Sequence, residues 1–154
     1  MKKNLAVFMA TTCYSGFFPI APGTVGALIA VVVLWFVPAL SWPVMSLLAL
    51  LVFLSGIWAA DVVEKAWKRE DPGQVNWDEV AGMMVSLIAM PKHWIVFVAA
   101  FILFRIFDVI KPWPVNRLER LHGGLGIMAD DIMAGIYSNL VLQIILLWIW
   151  HPGM

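Results

Sequence analysis

Apolar residues in this chain come in long uninterrupted runs, not in strand-like alternation or narrow amphipathic stripes. Four runs, residues 25–40, 44–60, 93–107 and 132–150, approach the length of a helix that crosses hydrocarbon, which is about 20 residues with a range near 17–25. Most sit at the short end, so their helices are expected to continue into flanking residues. A fifth run, 80–90, comes third in chain order and is too short to cross alone. Extended back to Trp77 it would be about 21 Å long at about 1.5 Å per residue. Pro38, Pro43 and Pro91 fall at or beside the connections, where helices stop. The pattern predicts an all-α, polytopic integral membrane bundle of about four to five membrane-embedded helices. It forms one domain over residues 1–154, with no internal repeat and no low-complexity segment.

Composition strengthens this reading. The 154 residues are 62% hydrophobic and only 13% charged, whereas soluble domains carry roughly a quarter charged residues. From Asn4 to Ala60 there is no Asp, Glu, Lys or Arg. The net charge of zero gives no electrostatic footprint for a nucleic-acid partner, and none is expected. Cys13 is the single cysteine, which excludes an internal disulfide and a multi-cysteine metal site. Lys2 and Lys3 before Leu5-Ala6-Val7-Phe8-Met9-Ala10 imitate a signal peptide. The polar break Thr11-Thr12-Cys13-Tyr14-Ser15-Gly16 argues that the segment is retained.

Basic residues set the orientation. With all five runs crossing, Lys2, Lys3, Lys65, Lys68, Arg69, Arg105, Lys111, Arg117 and Arg120 share one side, and Lys92 alone lies on the other. The positive-inside rule makes the first side cytoplasmic. It also favours a hairpin of the third and fourth runs turning near Pro91-Lys92. A re-entrant hairpin would bring its two ends to the same face.

That face collects the acids that touch the apolar runs: Asp78, Glu79, Asp108, Asp130 and Asp131. Charges beside hydrocarbon are costly and are usually paired or functional. Oxygen-only ligands suit Mg²⁺, which binds through carboxylates and substrate phosphates. The plainer alternative is simple pairing with Arg105, Lys111, Arg117 and Arg120 at the interface. Arg105, Asp108 and Lys111, spaced i, i+3, i+6, would share one broad helix face before Pro112 ends it. Pro22-Gly23-Thr24-Val25-Gly26 leads into the first long run, where Thr24 is expected to cap the helix and its N-terminus to offer an anion site. Many Thr caps bind nothing. His122-Gly123-Gly124-Leu125-Gly126 reads as a flexible connector, and a lone loop histidine is more often solvated than catalytic. Asp130 and Asp131 would point about 100° apart on a helix. Gly135 thins a helix face for close packing. His93 and His151 have no assigned role, and Trp42, Trp148 and Trp150 read as interface anchors.

Four segments then carry a family likeness: Pro19-Ile20-Ala21-Pro22-Gly23-Thr24-Val25-Gly26, Trp77-Asp78-Glu79-Val80-Ala81-Gly82, Phe104-Arg105-Ile106-Phe107-Asp108-Val109-Ile110-Lys111-Pro112-Trp113-Pro114, and His122-Gly123-Gly124-Leu125-Gly126-Ile127-Met128-Ala129-Asp130-Asp131-Ile132-Met133-Ala134-Gly135. In order and spacing the chain resembles the bacterial phosphatidylglycerophosphatase A proteins. The likeness implies a Mg²⁺-dependent phosphatase that removes the terminal phosphate of phosphatidylglycerophosphate. It implies a multi-pass protein of the bacterial inner membrane, with a phospholipid substrate and a site facing the cytoplasm. Asp78, Glu79, Asp108 and Asp131 are then the expected metal ligands, with Asp130 a ligand or general base. Arg105, Lys111 and Thr24 are the expected phosphate-binding residues. Ala27 departs from the family, which often has Ser there. The competing readings are another lipid-phosphate enzyme such as a phosphatidate phosphatase, a transporter with a charged vestibule, and a scaffold for anionic lipid.

Overall fold

The computed structural model describes residues 2–118 and 121–150, so Arg120 and His151 lie outside the described residues, as does the side chain of Trp150. Among the described residues there are seven α-helices, one 3-10 turn and no strand. They are α1 (Lys2–Ala10), the 3-10 turn (Ser15–Phe17), α2 (Pro22–Phe36), α3 (Trp42–Trp67), α4 (Trp77–Ser86), α5 (Trp94–Ile110), α6 (Val115–Leu118) and α7 (Gly124–Trp150). Trp42–Trp67 and the stretch Gly124–Trp148 are each long and apolar enough to cross a membrane. α2 is apolar but has only 15 residues.

Several boundaries differ from the expected ones, each for a physical reason. Pro22, with its fixed φ, starts α2 at the first helical position, three residues before the apolar run. α3 continues through Asp61, Glu64 and Lys65, because these alternate with Val63 and Trp67, which still pack inward. α7 begins at Gly124, so the glycine-rich segment is mostly helix and not a connector. His93 has a role after all: its Nδ1 accepts the Ile95 N–H and caps α5.

Size sorts the side chains. Small residues fill the interior, with Ala6, Ala10, Ala59 and Ala60 between α1 and α3, and Ala27, Ala30, Ala100 and Ala134 around Met83 and Phe104. Bulky ones such as Phe36, Trp42, Val109 and Trp148 stand exposed. Small residues let the helices approach closely around a few large buried side chains, Met83, Phe104 and Met128.

α4 sits at the centre against α2, α3, α5 and α7. With 10 residues it is about 15 Å long, too short to cross, so its last carbonyls end inside the protein and need donors. Asn139 of α7 supplies them. Its Nδ2 donates to Ser86 O at 3.1 Å and Ile88 O at 2.7 Å, while Gln143 Nε2 holds its Oδ1 at 2.7 Å. The other end is fixed by Trp77, whose Nε1 donates to Val52 O at 3.1 Å and to Ser55 Oγ at 3.3 Å. Asn139→Leu should lower stability by about 2 kcal/mol or more, since the buried Ser86 carbonyl and the half-buried Ile88 carbonyl lose their donor. Chemical denaturation in detergent measures it, and an unchanged midpoint would remove Asn139 from this role.

Candidate active site

The acid pair Asp78-Glu79 opens α4, and a buried asparagine fixes where that opening lies. Asn76 N donates to Ala10 O at 2.9 Å, and its carbonyl accepts from Thr12 Oγ1 at 3.2 Å. Its Nδ2 donates to Ser15 Oγ at 3.0 Å and Pro22 O at 3.1 Å. One residue thus ties α1, the 3-10 turn and α2 to the start of α4. Asn76 escaped notice in the sequence because nothing marks a single amide in a loop.

α7 delivers the second pair of acids from two turns inside the helix, not from its end as expected. Asp131 N donates to Asp130 Oδ1 at 3.1 Å, and the two carboxylates diverge. Asp130 turns to Lys111, whose Nζ lies 2.9 Å from its Oδ2. Asp131 turns to α4, so that one oxygen each from Asp78, Glu79 and Asp131 lies within 4.8 Å of the others. α5 adds Arg105 and Asp108: Arg105 Nη1 is 2.7 Å from Asp108 Oδ2 and 3.8 Å from Glu79 Oε1. Asp108, expected among the metal ligands, stands outside the close trio and is engaged by Arg105. Lys111 forms the left-handed C-cap of α5, directly before Pro112.

Thr24 does not cap α2. The cap position is Ala21, in a left-handed conformation, and Thr24 sits within the first turn. The turn still reaches the site through its neighbour. A Cβ on Gly23 would lie 1.7 Å from Glu79 Oε1 and 3.5 Å from Arg105 Nη1, so any side chain there would displace the Glu79 carboxylate.

Asp78, Glu79, Asp108, Lys111, Asp130 and Asp131 border a cleft of about 390 Å³ whose walls also include Glu64, Glu70, Asp71, His122, Gly123 and Gly126. Carboxylates outnumber cations there, and simple pairing accounts for only some of them. Arg105 and Lys111 engage Asp108, Glu79 and Asp130, and Arg117 instead stacks over Trp113 at 6.0 Å. Among the described residues Asp78 and Asp131 have no cationic partner. Asp78 Oδ1 and Glu79 Oε2 are shut off from solvent without any hydrogen bond, and Arg105 Nη1 has charge contacts but no N–H aligned to an acceptor. Three carboxylates converging, two of them with an unsatisfied buried oxygen and no sulfur or imidazole among them, fit a hard divalent cation.

Burial pushes the Asp78 carboxyl well above the usual carboxylate range, and the negative charges of Glu79 and Asp131 push it further. Burial raises Glu79 as well, with the adjacent Asp78 carboxyl and the Arg105 charge opposing the shift.

A family model for phosphatidylglycerophosphatase A matches residues 8–146. A phosphatidylglycerophosphatase A from Escherichia coli is 40% identical over 133 residues, covering 85% of this chain and 77% of that protein. Its counterpart from Haemophilus influenzae is 35% identical over 137 residues, 87% and 84% of the two chains. A candidate phosphatidylinositol-3-phosphatase from Bacteroides thetaiotaomicron is 43% identical over 150 residues, 91% and 92% of the two. No solved structure matches the chain.

The raised carboxyls set a pH dependence. Where folding raises an acid's pKa, the native state binds more protons than the unfolded chain, so stability falls as pH rises above the ordinary carboxylate range. In chelator-treated protein, the melting temperature of Asp78→Asn relative to the parent should therefore climb between about pH 5 and pH 8. A difference that stays flat across this range would contradict the burial of the Asp78 charge.

Proposed function

The chain belongs to the phosphatidylglycerophosphatase A family and is a phosphatase; from that premise we propose that it converts phosphatidylglycerophosphate to phosphatidylglycerol and inorganic phosphate. The observation that carries the detail is the convergence of Asp78, Glu79 and Asp131, with a partnerless buried oxygen on each of Asp78 and Glu79. These three hold Mg²⁺, which when bound neutralises the phosphoryl oxygens and polarises the phosphorus.

The remaining work falls to the protein. Arg105 and Lys111 hold the phosphate oxygens as fixed positive charges, and Asp108 keeps the Arg105 guanidinium in place. The first turn of α2, with Gly23 against Glu79 and Thr24 beside it, packs behind the Glu79 carboxylate and the Arg105 guanidinium. Asp130, oriented by Lys111, is the general base. The oxygen of an attacking water bonds to phosphorus as the bond from phosphorus to the glycerol oxygen breaks. The water's proton passes to Asp130, and the glycerol oxygen takes a proton from solvent.

The chain lies in the bacterial inner membrane as a multi-pass protein, with α3 and α7 as spans and α2 and α5 embedded beside them. The outward bulky side chains and the two long apolar helices support this reading. The bias of Lys and Arg toward the acid-bearing end supports a cytoplasmic site. Acyl chains of the substrate stay in the leaflet, and its phosphate reaches the cleft at the interface.

Phosphate release by the purified chain tests this against three lipids: phosphatidylglycerophosphate, phosphatidate and phosphatidylinositol 3-phosphate. Turnover should favour the first, vanish with chelator and return with Mg²⁺. Asp78→Asn and Asp131→Asn should each lower kcat/KM by about a thousandfold or more, as expected when metal assistance worth several kcal/mol is lost. Chelator-resistant turnover would refute the metal; preference for either other lipid would refute the substrate.

A further inference from the structure

We infer that Asp61 is a positioning residue for the active site: it caps α7 from a different helix and thereby sets where Asp130 and Asp131 stand. The inference rests on the reading of Asp131 as a metal ligand.

A helix start leaves several N–H groups without intrahelical partners, and the residue before it commonly supplies a side-chain acceptor. Here that residue is Gly123, with φ of 74° and no side chain. The acceptor comes from α3: Gly124 N donates to Asp61 Oδ1 at 3.1 Å, across 63 residues of sequence. A negative charge at this end also complements the helix dipole.

The fit leaves no slack. A Cβ on Gly123 would lie 2.5 Å from Asp61 Oδ1, and one on Gly124 would lie 2.0 Å from Ile57 O and 2.9 Å from Asp61 N. Ile57 and Asp61 stand one turn apart on α3, so the two glycines let α7 begin flush against that turn. From Gly124 the helix runs to Asp131 in about two turns, roughly 10 Å of rigid rod. Gly123, Gly126 and Ile127 of the docked segment also line the cleft. A change in seating at Gly124 therefore moves both the wall and the ligands.

The other oxygen of Asp61 pairs with Lys65, one turn on, whose side chain is 75% exposed. An exposed i, i+4 pair contributes little, so the cap and not the ion pair is the working contact.

Three variants of the full chain separate these contacts: Asp61→Ala removes the acceptor, Asp61→Asn keeps an oxygen at its position, and Lys65→Ala removes only the ion pair. Two readouts suffice, amide hydrogen exchange over residues 122–127 and Mn²⁺ binding followed by electron paramagnetic resonance. Asp61→Ala should speed exchange there and raise the Mn²⁺ dissociation constant about tenfold, the loss typical when a group supporting metal ligands is removed. Asp61→Asn and Lys65→Ala should stay within about twofold of the parent on both readouts, well under that tenfold effect. Parental exchange and affinity in Asp61→Ala would overturn the inference, as would the full loss in Lys65→Ala. Should Asp61→Ala fail to fold, a tenfold loss in Asp61→Asn would overturn it, because the charge and not the cap would then matter. If the parent binds no Mn²⁺, the metal reading falls, and the exchange measurement still decides the cap.

Discussion

At the crossing of α4 and α7, backbone touches backbone. A Cβ on Gly82 would come within 2.5 Å of Asp131 O, and one on Gly135 within 2.3 Å of Gly82 O. Ser86 Oγ bridges the same place, donating to Gly82 O at 3.0 Å and reaching Gly135 O at 3.5 Å. This close approach brings the α4 acids to Asp131, since a wider separation would hold the carboxylates apart. It also brings Asn139 to the far end of α4. The helix that carries Asp78 and Glu79 is thus held at both ends and along its length, although it is too short to cross the protein alone.

The same closeness creates an electrostatic problem. Three carboxylates gathered away from water repel one another and lose hydration, and each effect disfavours their ionised forms. Arg105 and Lys111 relieve part of this, but they face Glu79, Asp108 and Asp130, leaving Asp78 and Asp131 without a cation among the described residues. A fully paired cluster would be a static interface feature. An under-compensated one has free energy to gain from a bound cation, and a phosphate dianion could not otherwise approach so negative a cleft. The mismatch in charge is therefore what the proposed cation would relieve, and the fold tolerates it because the surrounding contacts over-determine the geometry.

Much of this was legible in the sequence because charge is rare in it. In a chain so apolar, Asp78, Glu79, Asp108, Asp130 and Asp131 stand out, and their places relative to the runs imply a shared end. The divergence of Asp130 from Asp131 followed from helical geometry alone. Pro38, Pro43, Pro91 and Pro112 marked the connections and Gly135 a close helix contact, but other glycines and Pro22 misled. Gly123, Gly124 and Gly126 suggested a connector, yet tertiary contact with Ile57 and Asp61 makes a helix of most of that stretch, overriding weak propensity. Pro22 displaced the helix start and with it the expected Thr24 cap. α1 was hidden by its likeness to a leader segment. Asn76, Asn139 and Asp61 were invisible for a common reason: each acts across more than 50 residues of sequence, and no local pattern announces such a partner.

The sorting of side chains by size has a bearing on how the family can drift. In a water-soluble core, large buried residues are the constrained ones and the periphery varies. Here the periphery is built of leucine, phenylalanine and tryptophan that touch few neighbours, so one bulky type can replace another freely. The constraint falls on alanine and glycine at the helix contacts, where a single added methyl group meets a carbonyl. Across diverged relatives, the smallest side chains should mark the architecture and the largest should be the noise.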